Sequence, residues 1–168
     1  MKRCLITGAG GFVGSHVFIH FLHNTNWELV LLDSFRHRGK TDRIIQQLDV
    51  SHPEYLDRVK VITHDLKVPF SSQMVQKLGK IDYIVSMASE SHVDRSITEP
   101  RDFVENNVSL ILTLLEYARE NPVEKFVQIS TDEVYGPISE GGHEEGEPHR
   151  PSNPYSASKA AQEDICYS

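Results

Sequence analysis

A tyrosine and a lysine four residues apart form the pair with the clearest chemical potential in this sequence. Tyr155 and Lys159 lie in the run Tyr-Ser-Ala-Ser-Lys, and a spacing of four places both on one face of a helix. A tyrosine hydroxyl is a poor base at its ordinary pKa of about 10, and a neighbouring ammonium group favours the phenolate. The pair therefore predicts a base that removes a proton from an alcohol while the carbon gives up a hydride. Taken alone, the same spacing is also common among surface residues.

Two adjacent carboxylates, Asp132 and Glu133, follow an apolar run and the pair Ser130-Thr131. Elimination needs one acid that gives a proton to a departing hydroxyl and one base that takes a proton from carbon. Neighbouring side chains on a strand point to opposite faces, so the strand must end or bend here if both carboxylates are to reach one substrate. The alternative is a solvated acidic strand end.

Three glycines with three-residue spacing lie between the first apolar run and the first helical pattern: Gly8, Gly11 and Gly14. Such a turn brings the backbone close to a pyrophosphate, and the N-terminus of the following helix offers it free N–H groups. Asp33 ends the second apolar run 19 residues after Gly14, where a carboxylate binds the adenosine ribose and disfavours a 2′-phosphate. The motif predicts NAD rather than NADP, although Arg36 and Arg38 weaken that preference. A helix-initiating turn is the alternative.

The order of apolar runs predicts the elements that position these residues. Short aliphatic runs alternate with longer helical patterns about five times, which is typical of strands buried on both faces of a doubly wound parallel sheet. We therefore predict an α/β fold with right-handed crossovers. The predicted strands contain residues 4–6, 29–32, 59–62, 81–85 and 126–129, and the predicted helices span 12–23, 41–48, 71–78, 101–120 and a segment that begins near 155.

Two segments leave alternatives open. Residues 101–120 carry apolar side chains on more than one face, which predicts a helix buried on two sides. One side would face the sheet, and the other would face either the rest of the chain or a second copy in a homodimer, through the stretch from Leu110 to Leu115. Residues 136–154 are rich in glycine, proline and glutamate and follow a strand at the sheet end where such folds place ligands. They form either a lid or a surface insertion.

Composition narrows the class and location of the protein. A chain of 168 residues predicts one globular domain, and a net charge of −7 disfavours a nucleic-acid partner. Cys4 and Cys166 are too few for a disulfide scaffold and lack metal-ligand spacing, and the histidines form no recognisable ligand set. No apolar run reaches the length of a signal peptide or a membrane span. We predict a cytoplasmic protein with no metal and no membrane partner.

The glycine turn and the Tyr-Lys pair together resemble the extended branch of the short-chain dehydrogenase/reductase superfamily. Further segments narrow the resemblance to the nucleotide-sugar 4,6-dehydratases, with the enzymes that act on dTDP-glucose as the nearest match. These segments are Ile129 to Gly136, Ala88 to Ile97 and Pro151 to Tyr155. The resemblance implies an NAD-binding Rossmann domain over residues 1–168, NAD as cofactor, and a nucleotide-activated hexose such as dTDP-glucose or UDP-glucose as substrate.

The resemblance also implies a role for each site residue. Tyr155, with Lys159 and Thr131, would deprotonate the hexose C4 hydroxyl while C4 passes a hydride to NAD. Glu133 would remove the C5 proton, Asp132 would protonate the C6 hydroxyl as water leaves, and the hydride would return to C6. The substrate would contact Ser91 and Thr131, and the cofactor would be lined by Gly8, Gly11, Phe12, Val13, Gly14, Asp33, Asp65, Leu66, Met87, Ala88, Ser89, Tyr155 and Lys159.

The sequence departs from this family at a few positions. Ser89 stands where the family usually has alanine, Asn106 stands where a threonine is usual, and Leu110 and Ile111 replace a small pair. The sequence ends nine residues after Lys159, whereas the superfamily continues with further strands and a C-terminal substrate domain. We therefore expect an incomplete sheet and no C-terminal domain. The alternatives are an NAD-binding or interaction module without turnover, and a nucleotide-sugar 4-epimerase.

Overall fold

The computed structural model describes residues 1–36, 38–48 and 52–168, and these residues form a five-stranded parallel sheet with helices on both faces. The strands are β1 (Arg3–Thr7), β2 (Glu28–Asp33), β3 (Val59–Thr63), β4 (Tyr83–Ser86) and β5 (Lys125–Gln128). The helices are α1 (Phe12–Asn24), α2 (Thr41–Gln47), α3 (Ser72–Leu78), α4 (Val93–Thr98), α5 (Pro100–Glu120) and α6 (Pro154–Tyr167). The predicted α/β class and parallel sheet are confirmed.

The strands lie in the order β3-β2-β1-β4-β5, with β1 at the centre. On one side Leu5 pairs with Val30 of β2, and on the other it pairs with Ile84 of β4. The chain moves outward from β1 in one direction through β2 and β3, and in the other through β4 and β5. The switch between these directions lies next to β1, where open α/β sheets place their ligands beyond the carboxyl ends of the strands.

Two apolar cores hold the layers together because successive strand residues point to opposite faces of the sheet. On one face Ile6 and Leu31 pack with Phe18 and Leu22 of α1 and with Ile44 of α2. On the other face the members come from the strands, α3 and α5: Leu5, Val30, Leu32, Ile62, Ile84, Leu78, Leu110, Ile111 and Leu114. The sheet is therefore sandwiched, as the continuous apolar runs predict.

The prediction that each strand is covered on both faces does not hold for the outer strands. Val61 of β3 is 43% exposed and Val127 of β5 is 38% exposed, because the described helices cover only one face of the sheet at each of these positions. The sequence analysis also missed α4 and two 3-10 turns, Pro53–Arg58 and Asp132–Tyr135. These segments are four to six residues long, which is too short for a helical apolar period to develop.

Helix α5 is buried on one side and partly open on the other. Leu110 and Ile111, the residues that replace a small pair, are fully packed in the core. By contrast, Val104 is 41% exposed and Leu112 is 44% exposed. The predicted burial on two sides is therefore only partial within the described chain. No helix of the described residues has both the length and the apolar character needed to cross a membrane.

Candidate active site

A cavity of about 640 Å³ opens at the carboxyl ends of the central strands. It lies where strand order reverses, the position that doubly wound sheets use for ligands. The structure brings fourteen of the predicted residues together in its wall, and they come from five separate parts of the chain. They are Gly8, Gly11, Phe12, Val13, Gly14, Asp33, Asp65, Leu66, Met87, Ala88, Ser89, Ser91, Tyr155 and Lys159.

The glycine turn forms the floor of this cavity because two of its positions have no room for a side chain. Gly8 has a φ of 69°, and a Cβ there would lie 2.9 Å from the backbone of Ala88. A Cβ on Gly14 would lie 2.2 Å from the carbonyl oxygen of Gly8. Helix α1 starts directly after Gly11, which has no side chain to cap its first N–H groups. This open N-terminus with its helix dipole suits a pyrophosphate.

Asp33 joins the glycine turn to the loop after β2. Its Oδ2 accepts a hydrogen bond from the backbone N–H of Gly10 at 2.9 Å, and its Oδ1 accepts one from Phe35 at 2.9 Å. A Cβ on Gly39 would come within 2.5 Å of Oδ1, so that glycine gives the carboxylate its space. Asp33 is thus fixed at the cavity wall before any ligand binds.

Three arginines line the end of the cavity near Asp33. The sequence analysis noted Arg36 and Arg38 but not Arg43. Arg36 forms an ion pair with Asp65 across 2.9 Å, which offsets part of its positive charge. Arg43 donates to the carbonyl oxygens of Gly10, at 3.1 Å, and Arg38, at 2.6 Å. Of the three arginines at this end of the cavity, Arg36 is paired with a carboxylate and Arg43 is held by backbone carbonyls, so their opposition to the NAD preference is smaller than their number implies.

The segment from Met87 to Ser91 is fixed by two buried polar side chains. Thr7, at the end of β1, accepts hydrogen bonds from the N–H groups of Met87 at 3.0 Å and Ala88 at 3.1 Å. Asn107 of α5 accepts from the N–H of Glu90 at 2.9 Å, and its amide donates to the Glu90 carbonyl and to Ser158. The wall of the cavity is therefore tied to both α5 and α6.

Lys159 lies on α6 with only 3% of its surface exposed. Its ammonium donates to the carbonyl oxygen of Ile129 at 2.5 Å and to the side-chain oxygen of Gln162 at 2.7 Å. Burial lowers the pKa of Lys159 to about 8, because the charged form loses its hydration. Lys159 is thus a buried hydrogen-bond donor whose pKa is lowered to about 8.

Tyr155 departs from the behaviour expected of it. Burial raises the pKa of its hydroxyl above the ordinary value, the neighbouring Thr131 hydroxyl lowers it, and the charges of Glu133 and Asp132 raise it further. The expectation that Lys159 lowers this pKa is not met, because the ammonium is turned toward Ile129 and Gln162. The raised pKa favours the protonated tyrosine, whereas a base must be deprotonated before it can take a proton from a substrate.

Asp132 and Glu133 lie in the 3-10 turn that directly follows β5 and Ile129–Thr131. Thr131 shapes this turn, since its Oγ1 accepts from the N–H of Glu133 at 3.3 Å and donates to Asp132 Oδ1 at 3.2 Å. Strand β5 therefore ends before the two carboxylates, which the predicted elimination requires if both are to reach one substrate. Both carboxylates line one cavity of about 260 Å³. This smaller cavity is separate from the larger one, which Tyr155 lines. Thr131 lines neither cavity, but its hydroxyl is hydrogen-bonded to Tyr155.

Residues 136–152 form one wall of the smaller cavity, which favours the lid over the surface insertion. Gly136, Pro137, Ile138, His143 and Ser152 line it together with the carboxylates. The loop is held in place by the N–H of Arg150, which donates to Val134 at 2.9 Å. It is also held by His143, whose ring contacts Glu147 at 2.8 Å and Gly136 O at 3.1 Å.

Besides Arg43, three side chains around the site were missed by the sequence analysis: Asn153, Gln162 and His143. Asn153 carries a signal that could have found it, since an Asn before a Pro that starts a helix is a typical N-cap. Gln162 and His143 carry no such signal, because their partners lie on other elements or in an irregular loop. No cluster of three metal-ligating side chains occurs within the described ranges.

The fold and the cavity together define a doubly wound domain built to hold a dinucleotide. The chain belongs to the GDP-mannose 4,6 dehydratase family, whose model matches residues 5–168. The resemblance inferred from the sequence motifs is thereby confirmed at the level of the family.

Individual relatives agree with this placement. The chain is 40% identical to the low-salt glycan biosynthesis protein Agl12 of Haloferax volcanii over 93% of its length, covering 48% of that protein. It is 37% identical to the dTDP-glucose 4,6-dehydratase of Streptomyces griseus over 94% of its length, covering 46% of that protein. The chain thus spans about half the length of the curated relatives it matches.

Solved structures give the same fold. The dTDP-glucose 4,6-dehydratase DesIV of Streptomyces venezuelae, with NAD and TYD bound, superposes with a TM-score of 0.85 at 36% identity. That match covers 98% of this chain and 50% of DesIV. The UDP-Glc/GlcNAc 4-epimerase of Campylobacter jejuni superposes with a TM-score of 0.84 at 29% identity, covering 99% of this chain and 48% of the epimerase.

Proposed function

We propose that this chain carries the cofactor site and the catalytic residues of an NAD-dependent nucleotide-sugar 4,6-dehydratase. The observation that supports this most directly is the placement of Asp132 and Glu133 in one cavity next to Tyr155. Elimination of water requires an acid and a base on one substrate, whereas oxidation at C4 alone requires only the tyrosine and lysine. The preferred substrate is dTDP-glucose, which the relatives' names favour, and UDP-glucose follows from the sequence resemblance alone.

The larger cavity fits NAD because its floor and its rim have the features that a dinucleotide needs. Side chains at Gly8 and Gly14 would fill the floor, and the N-terminus of α1 has no capping side chain. Asp33 would accept from the adenosine ribose, and Lys159 and Tyr155 would lie at the nicotinamide end. Bound NAD would supply hydride acceptance and hydride return.

The protein residues would supply the proton transfers. Tyr155 takes the proton of the hexose C4 hydroxyl, in a site where the Lys159 ammonium favours the phenolate once a ligand draws it from Gln162. The resulting 4-keto group acidifies the C5 proton, which Glu133 removes. Asp132 gives a proton to the C6 hydroxyl, so that the C6–O bond breaks, a C5–C6 double bond forms and water leaves. Hydride return to C6 and reprotonation at C5 complete the 4-keto-6-deoxy sugar.

Product analysis tests the proposal on the protein as its gene encodes it. Incubation with NAD and dTDP-glucose or UDP-glucose should give a product lighter by one water, detected by mass spectrometry. Tyr155→Phe should abolish all conversion. Glu133→Gln should permit oxidation at C4 but no loss of water. Binding of NAD without conversion of either sugar would instead support a module without turnover.

A 4-epimerase is the second candidate, because epimerases are among the structural neighbours. Inversion at C4 needs the tyrosine and lysine but gives the two carboxylates no proton to move. The same incubation distinguishes the two candidates, since an epimerase product has the mass of the substrate. Retention of mass together with a changed C4 configuration would overturn the dehydratase proposal.

Asp33 provides an independent test of cofactor preference. The N–H groups of Gly10 and Phe35 each donate to one carboxylate oxygen of Asp33. In Asp33→Asn only one oxygen remains, so the amide NH₂ group would face one of these N–H donors. We expect Asp33→Asn to weaken NAD binding and to reduce the preference for NAD over NADP, as measured by calorimetry with each cofactor. Equal affinity of the unaltered protein for both cofactors would contradict the role of Asp33.

A further inference from the structure

Asn153 is the last residue before α6, and its side-chain oxygen caps that helix. Its Oδ1 accepts a hydrogen bond from the N–H of Ser156 at 2.9 Å, while the Ser156 hydroxyl accepts from the N–H of Asn153 at 3.2 Å. This reciprocal capping box, followed by Pro154 in the first turn, fixes the backbone and side chain of Asn153. The residue is therefore held rigidly, one position before Pro154 and two before Tyr155.

The amide group of Asn153 makes a second contact that capping does not require. Its Nδ2 donates a hydrogen bond to Glu133 Oε2 at 3.0 Å. The orientation of the amide is determined chemically, since exchanging its oxygen and nitrogen would set a donor against the Ser156 N–H and an acceptor against the carboxylate. Both half-buried partners are thus joined by a charge-assisted bond between separate elements, the 3-10 turn after β5 and the start of α6.

This hydrogen bond holds Oε2 of the Glu133 carboxylate and thereby also fixes the position of the other oxygen, Oε1. A carboxylate that takes a proton from carbon must be held at the correct distance and angle, and a misplacement of about 1 Å costs roughly 100-fold in rate. Glu133 lies on a four-residue 3-10 turn, whose own hydrogen bonds do not fix a long side chain. Asn153 supplies the missing constraint from a rigid helix end.

We infer that Asn153 is a positioning residue that aligns Glu133 for removal of the C5 proton. This inference rests on the proposed dehydratase function. Asn153 connects the two proposed bases, Glu133 and Tyr155, because it contacts Glu133 and caps the helix that carries Tyr155. Loss of the amide donor should therefore slow the elimination half of the reaction and leave the oxidation half unchanged.

Two substitutions separate the amide contact from the cap. Asn153→Ser keeps a capping hydroxyl but is too short to donate to Glu133, and Asn153→Asp keeps a capping oxygen but sets a second carboxylate against Glu133. Ser156→Ala is the matched control, because it removes only the hydroxyl half of the capping box, which binds the Asn153 backbone. The N–H of residue 156 still holds Asn153 Oδ1, so the contact with Glu133 stays in place. A weakened cap would affect all three variants, whereas a positioning role affects only the first two.

The measurements are made on the protein as its gene encodes it, in single turnovers with the sugar that it converts. We expect Asn153→Ser to form reduced nicotinamide at the normal rate and to slow its decay by about tenfold, with a larger effect for Asn153→Asp. With substrate deuterated at C5, the isotope effect on that decay should grow in both variants. Ser156→Ala should behave like the unaltered protein.

The outcomes keep this inference separate from the proposed function. If the unaltered protein releases water from the sugar but Asn153→Ser and Asn153→Asp leave both the decay and the isotope effect unchanged, Asn153 has no positioning role. Equal slowing in Ser156→Ala would likewise overturn the role and assign the effect to the cap. If the unaltered protein converts no nucleotide sugar, the proposed function fails and the inference fails with it.

Discussion

The buried ammonium of Lys159 donates a hydrogen bond to the side-chain oxygen of Gln162 across 2.7 Å. Gln162 is fully buried, and the same oxygen accepts from Gln128 of β5 at 2.9 Å while its Nε2 donates to the Asn107 carbonyl at 2.7 Å. One glutamine thus connects the lysine of the site to β5 and α5. The position of the Lys159 ammonium depends on this residue.

Replacement of Gln162 by Met should destabilise the protein, because Lys159 and Gln128 would each lose a buried acceptor. Lys159 and Gln128 each keep a hydrogen bond to the Ile129 carbonyl, so the cost is the loss of the three hydrogen bonds that Gln162 makes. At about 1 kcal/mol each, we expect a loss of about 3 kcal/mol in the free energy of unfolding. Urea denaturation measures this loss. The control is Gln76→Met on the exposed surface of α3, which should change stability by less than about 0.5 kcal/mol. Equal effects of the two substitutions would contradict the role of Gln162.

The lowered pKa of Lys159 predicts how stability depends on pH. Between pH about 8 and 10.5 the folded lysine has lost its proton while the unfolded lysine retains it, so the unfolded state binds more protons and the free energy of unfolding rises with pH. The full rise from this group is about 3 kcal/mol. Measured by denaturation, the stability of the native protein relative to Lys159→Met should increase from about pH 7 to pH 9.5. A constant difference would show that Lys159 titrates at its ordinary pKa.

The sequence predicts those parts of the site that depend on local spacing. Gly8, Gly14 and Asp33 were predicted because a turn, a helix start and a strand end each leave a local pattern in residue type. The bend before Asp132 was also predicted, since two neighbouring side chains can reach one cavity only if the strand stops.

The remaining contacts could not be predicted because they depend on packing between distant segments. The contact of Asn153 with Glu133 joins residues 20 apart in sequence, and that of Gln162 with Asn107 joins residues 55 apart. The direction of the Tyr155 pKa was predicted incorrectly for a related reason. Helical spacing places Lys159 on the same face, but only the packed structure shows its ammonium turned toward Ile129.

Gly14→Ala should disrupt the glycine turn, because its Cβ would lie 2.2 Å from the carbonyl oxygen of Gly8. Backbone atoms on both sides must shift, and this strain outweighs the gain of about 1 kcal/mol that alanine brings to a helix. We expect a net loss of about 2 kcal/mol in stability, measured by urea denaturation, together with weaker NAD binding. Gly142→Ala is the control, since nothing lies within 4 Å of a Cβ there. Normal NAD binding by Gly14→Ala would contradict the proposed cofactor floor.

His143 should make the loop over the smaller cavity sensitive to pH. Its hydrogen bond with Glu147 raises the pKa of its ring, helped by the Gly136 carbonyl and the charge of Asp132. Since the folded pKa lies above the ordinary 6.5, this stabilisation is fully present below pH 6.5 and is lost as pH rises through the folded value. Proteolysis of residues 136–150 should therefore be slower near pH 6 than near pH 8.

The variants for this test are His143→Gln and His149→Gln. His143→Gln should remove the pH dependence of proteolysis, because glutamine does not titrate. His149 also lies in the loop and contacts Glu163 and Asp164 of α6, so His149→Gln shows how much of the effect comes from that second histidine. Persistence of the full pH dependence in His143→Gln would contradict the role of His143.

The outward face of α5 predicts self-association through a second copy of this chain. Val104, Val108, Leu112 and Leu115 lie on one helix face at spacings of four, four and three, and Val104 and Leu112 are each more than 40% exposed. A charge in the centre of a paired apolar face is strongly unfavourable, so Leu112→Glu should shift the protein to monomer in sedimentation experiments at concentrations where the native protein is dimeric. Val68→Glu, at a 54% exposed position in a loop, is the control and should leave the sedimentation behaviour unchanged. A monomeric native protein, or a dimer that survives Leu112→Glu, would exclude α5 as the contact.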